Sequence, residues 1–155
     1  MSPIHIRAAL AKDIQAIEGI AENAYKPYCK RIGRKPAPMA EDYARLIKTG
    51  TIWVISAEDV IVGYIVLQDE SDHVLVDNIA VTPARHGYGF GRTLLNYAET
   101  HARERGVNEL RLYTNEKMHE NLAIYAKLGW HEYDRAEQDG FHRVFMRKCL
   151  SKQAE

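Results

Sequence analysis

The N-terminal third of the chain changes its hydrophobic period several times. Residues 3 to 8 alternate apolar and polar side chains as in a strand, and residues 14 to 24 repeat apolar side chains at helical spacing, with Asp13 as the predicted N-cap. Residues 26 to 38 contain three prolines, a glycine and five basic side chains, which interrupt any period. Helical spacing returns from about residue 40 to residue 48. We therefore predict a strand, a helix, an irregular flap and a second helix.

The middle of the chain is rich in β-branched residues. Residues 51 to 57 and 60 to 68 form two such runs separated by two acidic residues, which predicts a hairpin. Residues 73 to 81 follow with nearly continuous apolar side chains, as expected for a central strand covered on both faces. Asp77 and Asn78 are anomalies in such a strand, because a buried polar group costs free energy unless it is hydrogen-bonded or paired.

The last third of the chain alternates helices and strands. The predicted elements are a helix over residues 91 to 105 that ends at Gly106, a strand over 109 to 114, a helix over 118 to 128, and an antiparallel pair over 130 to 135 and 141 to 150. No repeat, low-complexity tract or linker divides the sequence. The order of elements predicts one α/β domain over residues 1–155, with a mixed sheet and helices on both of its faces.

Composition narrows the class of protein. The 155 residues carry 21 basic and 21 acidic side chains, so no net field attracts the chain to nucleic acid or to an anionic membrane. Cys29 and Cys149 lie far apart, and neither they nor the seven histidines show metal-ligand spacing. The N-terminus lacks a signal-peptide core, and no apolar run approaches the ~20 residues that span a bilayer. We expect a cytoplasmic protein with reduced thiols, no structural metal, and no nucleic-acid or membrane partner.

The strongest chemical signal is a cluster of glycines between a buried strand and a helix. Gly87, Gly89 and Gly91 lie within residues 81 to 95 and lead directly into the helix. The first amides of a helix have no intrahelical partner, and its N-terminus carries roughly +0.5 of a charge, so a phosphate or pyrophosphate can bind there. Glycines also form tight turns without a ligand, and that alternative stays open. The pattern differs from the Gly-x-Gly-x-x-Gly of a Rossmann unit and from the Gly-Lys-Ser/Thr of a P-loop.

This region resembles the GNAT superfamily of acyl-CoA-dependent N-acyltransferases, whose hallmark is Gln/Arg-x-x-Gly-x-Gly/Ala between the fourth strand and the third helix. His86, Gly89 and Gly91 occupy the hallmark positions, and His86 stands where Gln or Arg is usual. Backbone amides make the main pyrophosphate contact in this family, so the change to His86 affects a side-chain contact more than the site. Further residues that fit the family pattern are Val81, Pro83, Arg85, Gly87 and Leu95.

Residues 110 to 130 resemble a second motif of the same superfamily. Tyr125, Gly129 and Trp130 fall on its Tyr-x-x-x-Gly-aromatic pattern. The helical asparagine that is common seven residues before the tyrosine is Met118 here, and Asn121 lies one turn later. Two ordered motifs are more specific than either alone, and the resemblance extends over nearly the whole chain.

The resemblance implies a mostly antiparallel sheet and acetyl-CoA as co-substrate. In the family, a backbone amide of the splayed fourth strand stabilises the oxyanion, which corresponds here to the region from Ile79 to Val81. The implied cofactor-binding residues are Ile79, Ala80, Val81, His86, Gly87, Gly89, Gly91, Arg92 and Asn121.

Transfer from a thioester needs an unprotonated amine and a proton for the leaving thiolate. The resemblance makes Tyr125 the candidate acid, because a phenol donates a proton; the alternative is that Tyr125 only packs its helix on the sheet. Asp77 is a candidate base, and the alternative for Asp77 is a polar residue at a bulge of the strand. Glu22 and Tyr25 in the first helix are further candidates, and water without a protein base is another alternative.

The acceptor site is expected at the segment from Lys26 to Met39, which we call the flap. It is the only long irregular stretch outside the cofactor motifs, and functional loops are often of this kind. The corresponding region of the superfamily commonly covers the acceptor. This implies Tyr25, Tyr28 and Arg31 as substrate-binding residues.

These expectations describe an enzyme that transfers an acetyl group from acetyl-CoA to a primary amine of a small molecule or amino acid. Three alternatives stay open: an acyl-CoA-binding or regulatory module without turnover, a protein or peptide N-acetyltransferase, and a nucleotide-binding protein that uses the same glycine turn. The sequence also leaves open the acceptor amine, the length of the acyl chain and whether the chain forms a homodimer.

Overall fold

The computed structural model describes residues 3–150 of the chain. Strands and α-helices occur close to the predicted positions. The strands are β1 (Ile4–Ala8), β2 (Ile52–Ala57), β3 (Val60–Asp69), β4 (Val74–Val81), β5 (Glu109–Asn115), β6 (His131–Gln138) and β7 (Phe141–Cys149). The α-helices are α1 (Ile14–Tyr25), α2 (Cys29–Ile32), α3 (Tyr43–Thr49), α4 (Phe90–Glu104) and α5 (His119–Lys127).

The strands form a sheet in the order β1-β2-β3-β4-β5-β7-β6. β4 and β5 are parallel, whereas β1 with β2, β2 with β3, β5 with β7 and β6 with β7 are antiparallel. The predicted mixed, mostly antiparallel sheet is therefore confirmed. The hairpins are confirmed too, because Glu58 and Asp59 have φ of 54° and 64°, and Asp139 and Gly140 have φ of 53° and 82°, as in type I′ turns.

The contacts of the chain divide it into two compact units, Met1–Leu67 with Asn78–Tyr97, and Gln68–Asp77 with Ala98–Glu155. In the first unit, apolar residues of α1 and α3, such as Ile17 and Leu46, form a core with β2 and β3. In the second unit, β5 alternates buried and half-buried residues, as a strand with one covered face should. The expectation of one domain over residues 1–155 stays a prediction.

The sequence predicted that Asp13 caps α1, but its side chain makes no capping bond. The carboxylate instead accepts hydrogen bonds from the Leu10 amide at 2.7 Å and from the Arg7 guanidinium at 2.7 and 3.1 Å. The Arg7 bonds, with help from the Leu10 amide, lower the pKa of Asp13 although the residue is buried. Asp13 therefore ties the end of β1 to the start of α1.

The flap is not irregular throughout, which corrects the prediction. Two 3-10 turns, Lys26–Tyr28 and Ala37–Ala40, flank the short helix α2. Prolines stand in the first turns of both 3-10 segments, where a missing N–H removes no helical hydrogen bond. Gly33, with φ of 88°, ends α2. The prolines interrupt a continuous helical period, and the segment instead forms a series of short helical turns.

Helices α4 and α5 end in the same way. After α5, the Gly129 amide bonds to the Ala126 carbonyl at 3.2 Å and the Trp130 amide bonds to the Tyr125 carbonyl at 3.0 Å. This pair of bonds with a glycine at φ of 94° is a Schellman cap. Gly106, with φ of 78°, occupies the same position after α4 and confirms the predicted helix end.

Candidate active site

One edge of β4 has its carbonyls held by side chains rather than by a neighbouring strand. The parallel register of β4 with β5 covers Val74–Val76. Further along, the carbonyl of Ile79 accepts a hydrogen bond from the Tyr25 hydroxyl at 2.9 Å, and the carbonyl of Val81 lies 2.9 Å from Nε2 of His86. Since the N–H and C=O of one strand residue point to the same edge, the amides of Ile79 and Val81 face this edge as well.

The opposite edge of β4 lies close to β3. The Thr82 amide bonds to the Val62 carbonyl at 2.8 Å. A Cβ on Gly63 would come within 2.8 Å of the Ala80 carbonyl oxygen, so only glycine fits there. Ala80 therefore faces β3, and its assignment as a cofactor contact rests on the resemblance alone.

The glycine turn has the geometry of an anion site. Gly87 and Gly89 have φ of 88° and 82°, a region that other residues avoid. The first hydrogen bond of α4 runs from the Thr93 amide to the Gly89 carbonyl at 3.0 Å, so the amides of Phe90, Gly91 and Arg92 precede the helical ladder. These amides, with the positive end of the helix dipole, form the expected place for a pyrophosphate.

Gly91 can be used to ask whether the glycines serve a bound phosphate or only the tight turn. Gly91 has no positive φ, and a Cβ there would meet only Val81 Cγ2, at an ordinary 3.9 Å. Neither the backbone conformation nor the packing of the protein requires glycine at this position. Its place at the start of α4, beside amides that precede the helical ladder, is compatible with close approach of a bound group.

The side chain of His86 is directed to the protein backbone. Its Nε2 must carry the proton in the contact with the Val81 carbonyl, because a carbonyl only accepts. His86 therefore braces the end of β4, while Nδ1 is the ring nitrogen left for a ligand. Beside it, the Arg85 guanidinium lies 5.9 Å from the ring centre of Tyr88, and Arg92 is exposed at the start of α4.

A buried hydrogen-bond network lies beneath the Ile79 edge. Asn78 donates from Nδ2 to the Tyr43 hydroxyl at 2.9 Å, and its Oδ1 lies 3.2 Å from the Tyr64 hydroxyl. Tyr43 donates to the Pro38 carbonyl at 2.5 Å and lies 2.9 Å from Tyr64. Burial raises the pKa of Tyr64 well above its ordinary value, so its hydroxyl stays neutral.

One proton of this network is shared between two acceptors. Tyr43 gives its single proton to Pro38 and accepts from Asn78, so the single proton of Tyr64 lies between the Tyr43 hydroxyl and Oδ1 of Asn78. Tyr25 gives its proton to Ile79, its nearer acceptor. The network thus connects the end of α1 and the flap carbonyl of Pro38 to β4 just before the glycine turn. Asn78 is no longer an anomaly of its strand.

Asp77 points to the other face of β4 from Asn78 and has a partner of its own. The Tyr113 hydroxyl on β5 donates a short hydrogen bond to Asp77 Oδ1. Both residues are half-buried. Asp77 comes directly after the parallel ladder with β5, so its position agrees with the strand-divergence alternative. The carboxylate nevertheless remains partly accessible on this face.

Tyr125 is half-buried on α5, and its ring meets Trp130 edge-on with ring centres 6.0 Å apart. Burial raises the pKa of Tyr125 to about 12, so the phenol is protonated at neutral pH. The Tyr125 carbonyl accepts the cap bond from Trp130, and a contact between these two cap positions is common in Schellman motifs. The spacing of Tyr125, Gly129 and Trp130 is therefore explained by the helix end alone and does not by itself favour a catalytic role.

The remaining predicted site residues lie on α1, the flap and α5. Glu22 is exposed, and its carbonyl accepts the Lys26 amide. The Arg31 guanidinium lies 5.1 Å from the ring centre of Tyr28 within the flap. Asn121 is half-buried in the first turn of α5, whereas Met118 takes the N-cap position and is buried.

Sequence reasoning missed the partners that complete these arrangements. Tyr43, Tyr64 and Tyr113 received no role, although Tyr64 interrupts an aliphatic buried strand and could have been noticed for that reason. Within residues 3–150, no three His, Cys, Asp or Glu side chains converge to hold a metal ion. Over the same range, no helix is both long and apolar enough to cross a bilayer.

Comparison with known proteins identifies the family. The model of the acetyltransferase (GNAT) family matches residues 17–130, which include the glycine turn and the Tyr125 motif. The chain belongs to this family, whose co-substrate is acetyl-CoA. The resemblance inferred from the two sequence motifs is thereby confirmed.

Similar proteins agree with the family but differ in what they acetylate. Over 74 residues, or 48% of the chain and 50% of the relative, it is 34% identical to the [ribosomal protein bS18]-alanine N-acetyltransferase of Haemophilus influenzae. Over 77 residues, or 48% of the chain and 23% of the relative, it is 38% identical to N-alpha-acetyltransferase 80 of Mus musculus. The chain thus spans half or less of these curated relatives.

A solved structure has the same fold over most of the chain. The PaiA N-acetyltransferase of Thermoplasma acidophilum, solved in complex with coenzyme A, superposes with a TM-score of 0.80 at 21% identity and covers 96% of this chain and 99% of its own. At this identity the likeness concerns the fold.

Proposed function

We propose that the chain transfers an acetyl group from acetyl-CoA to a primary amine of a small molecule or amino acid. The observation that carries this proposal is Gly91, a glycine that the protein's own conformation does not need, at the start of α4 within the matched family region. An anionic group that approaches the backbone at this point accounts for it.

In this proposal the turn holds the pyrophosphate of acetyl-CoA. Amides of Phe90, Gly91 and Arg92 donate to it, and the exposed guanidinium of Arg92 adds a charge. The edge amides of Ile79 and Val81 face the acyl carbonyl oxygen. Tyr25 and His86 fix those two residues through their carbonyls, so the amides need no reorganisation during the reaction.

Tyr125 acts on the leaving sulfur. A phenol with a pKa of about 12 is a weaker acid than a thiol, whose ordinary value is about 8.5, so complete proton transfer to a free thiolate is uphill by roughly three pKa units. Tyr125 therefore serves as a hydrogen-bond donor that stabilises the developing thiolate, and the released thiolate takes its proton from solvent. Asn121, one turn earlier on α5, is proposed to contact the cofactor.

Asp77 accepts the proton of the attacking amine. Its hydrogen bond from Tyr113 holds the carboxylate in one orientation and leaves its second oxygen to receive the proton. Glu22 is the weaker candidate base, because its side chain is exposed and forms no hydrogen bond or ion pair with residues 3–150 that would orient it. The flap, with Tyr25, Tyr28 and Arg31, forms a wall of the acceptor site.

A protein or peptide acceptor is the second candidate. Two observations favour it: the curated relatives are named for the alanine of ribosomal protein bS18 and for N-alpha acetylation. Both matches cover about half of this chain, so they bear on the family machinery more than on the acceptor.

A screen of amines with acetyl-CoA, read by release of free thiol, tests the proposal. The panel should contain small amines, amino acids and peptides with free alanine N-termini. Thiol release with small amines or amino acids supports the proposal, and release with peptides alone replaces it with the second candidate. Binding of acetyl-CoA without release for any amine indicates a module without turnover.

A further inference from the structure

Strands β5, β7 and β6 of the second unit carry arginines interleaved with aromatic rings on one face. In the β5–β7 register, Arg111 is opposite Arg147 and Tyr113 is opposite Phe145. Tyr133 on β6 lies between two guanidinium groups, 5.7 Å from Arg111 and 5.6 Å from Arg147. We call this set the arginine–aromatic face, and its members are Arg111, Tyr113, Tyr133, Arg143, Phe145 and Arg147.

The three arginines of this face differ in how their charge is balanced. Arg111 has two carboxylates, with a short contact to Glu109 and a second to Asp72 at 3.8 Å. Arg143 and Arg147 have no ion pair with any acidic side chain of residues 3–150. Arg147 is exposed, so water screens its charge, whereas Arg143 is half-buried. A half-buried charge without a counter-ion costs free energy unless something else binds it.

Arg143 is held in one orientation, and most of its N–H donors have no acceptor in the part of the chain that the structure describes. Its guanidinium stacks over the Tyr113 ring at 4.3 Å, and Nη1 donates to the side-chain carbonyl of Gln138 at 2.9 Å. A guanidinium has five N–H donors in a rigid plane that matches a carboxylate. The bond to Gln138 uses one of them, so Arg143 is an oriented cation whose other donors can bind a carboxylate.

Tyr113 places this cation near the carboxylate that the proposed function uses as a base. Its ring contacts Arg143, and its hydroxyl bonds to Asp77. The cationic and the anionic group thus contact the same Tyr113 side chain, one at the ring and the other at the hydroxyl. This arrangement suits a small molecule that carries both an amine and a carboxylate.

We propose that Arg143 binds a carboxylate of the acceptor while Asp77 receives its amine, so that the acceptors are amino acids and related amino-carboxylates. The inference rests on the proposed acetyl transfer and specifies its substrate class. Stacked nucleobases fit less well, because guanidinium groups already cover the rings of Tyr113 and Tyr133. A polyphosphate chain would meet repulsion from Asp77.

Matched pairs of acceptors test this inference. Each pair consists of an amino acid and the amine left when its carboxylate is removed, such as phenylalanine and phenethylamine. The wild-type chain should prefer the amino acid. Arg143→Gln should lower kcat/KM for the amino acid by about 10- to 100-fold, the range expected for a charged hydrogen bond, and leave the plain amine within about twofold.

Two variants control this experiment. Arg147→Gln removes an uncompensated arginine of the same face and should leave the preference unchanged. Arg143→Lys keeps the charge but loses the planar guanidinium. It should therefore retain part of the preference for the amino acid that Arg143→Gln loses. If Arg143→Gln fails to fold, this lysine variant still decides the case: a preference equal to that of the wild type overturns the inference.

The outcomes separate this inference from the proposed function. Equal use of both members of each pair by the wild type overturns the carboxylate site while acetyl transfer stands, as does an equal loss for both members in Arg143→Gln. If no amine releases thiol, the proposed function fails. Saturation-transfer NMR of the amino acid with the CoA-bound protein then decides the carboxylate site: a signal lost in Arg143→Gln supports it, and an unchanged signal overturns it.

Discussion

Tyr125 shows how one residue can satisfy a structural and a chemical explanation at once. Tyr125→Phe keeps the ring that meets Trp130 and the cap carbonyl, but removes the hydroxyl. We expect kcat to fall by about 10- to 100-fold, with the Kd for acetyl-CoA nearly unchanged, because a hydrogen bond to the developing thiolate is lost. Single-turnover kinetics measure this when chemistry is rate-limiting.

Stability and pH provide the control for this variant. The melting temperature should change little, since the packing is retained. Because burial raises the pKa of Tyr125 to about 12, the wild-type rate should show no loss from its ionisation in the neutral range. If the rate of the chemical step is unchanged in Tyr125→Phe, Tyr125 only packs its helix and takes no part in catalysis.

The ion pair between buried Asp13 and partly exposed Arg7 predicts a loss of stability in acid. The pKa of Asp13 is lowered in the folded protein, so its contribution is present above the unfolded value near 3.8 and is lost as pH falls below it. Asp13→Asn should lower the free energy of unfolding at pH 7 by about 1 to 2 kcal/mol, since Arg7 is partly exposed. Urea unfolding at pH 7 and near pH 3 measures this difference.

The difference between wild type and Asp13→Asn should shrink at the lower pH. Glu41→Gln, which breaks an exposed pair with Arg45 at 3.6 Å, is the matched control and should cost less than about 0.5 kcal/mol at either pH. A constant difference from pH 7 to pH 3 would mean that charge is not what Asp13 contributes.

The glycine turn is an element whose ligand and conformation can be tested separately. Gly89→Ala adds a side chain at φ of 82° and is strained whether or not CoA binds. Gly91→Val has only an ordinary contact at its Cβ position, so the protein should fold. We expect the Kd for acetyl-CoA to rise at least about tenfold in Gly91→Val, because the side chain keeps the pyrophosphate from the amides.

Gly19→Ala is the matched control, since Gly19 lies within α1 and nothing stands within 4 Å of its Cβ position. It should affect the Kd little and stabilise the helix slightly. Isothermal titration of acetyl-CoA into the wild type, Gly91→Val and Gly19→Ala measures the three Kd values. Normal CoA binding by a folded Gly91→Val would show that the turn is not the cofactor site.

The flap is the second element with a defined test. Its short helices are anchored to the Asn78 network at Pro38, so replacements at its outer residues should leave the fold intact. Tyr28→Ala or Arg31→Ala should raise KM for an active amine several-fold and leave acetyl-CoA binding nearly unchanged, because each removes one half of the Tyr28–Arg31 contact. Steady-state kinetics with either substrate varied separates the two effects.

Lys35→Ala removes an exposed charge from the same flap and serves as the control. Flap variants that change the affinity for acetyl-CoA would place the segment on the cofactor side. If they change neither parameter while the fold is intact, the flap is a passive connection.

For the molecule as a whole, a bound co-substrate should raise the unfolding temperature by mass action. Acetyl-CoA at 100 times its Kd adds about 2.7 kcal/mol to the free energy of unfolding. For a chain of 155 residues this corresponds to a shift of roughly 5 to 10 °C, measured by differential scanning calorimetry. Dephospho-CoA and ATP are useful comparisons: a larger shift with ATP would favour a nucleotide site.

The parts of the fold and site that the sequence predicted are those encoded by neighbouring residues. The hairpin at Glu58 and Asp59, the helix end at Gly106 and the glycine turn all lie within short windows. The flap was misjudged because single turns bounded by proline leave no period to detect. Asp13 was misjudged because its partner Arg7 lies on another element.

The contacts that give polar residues their roles lie beyond such windows. Asn78 meets Tyr43, 35 positions away, and Asp77 meets Tyr113, 36 positions away. A single sequence signals these residues only as polar positions in an apolar strand. Which tyrosine satisfies which group follows from the register of the sheet, and that register is a property of the folded chain.

The last strand of the sheet bears on how the protein behaves at high concentration. β6 lies at the edge, all eight of its residues are exposed, and its register with β7 shifts between Glu132 and Asp134. Such an edge offers unpaired amides and carbonyls to any other extended strand, which is how fibrils begin. The charges of Glu132, Asp134, Arg135 and Glu137, together with the irregular register, oppose this pairing. A homologue that replaced these charges with valine and straightened the strand would be expected to polymerise through this edge, even with its catalytic groups intact.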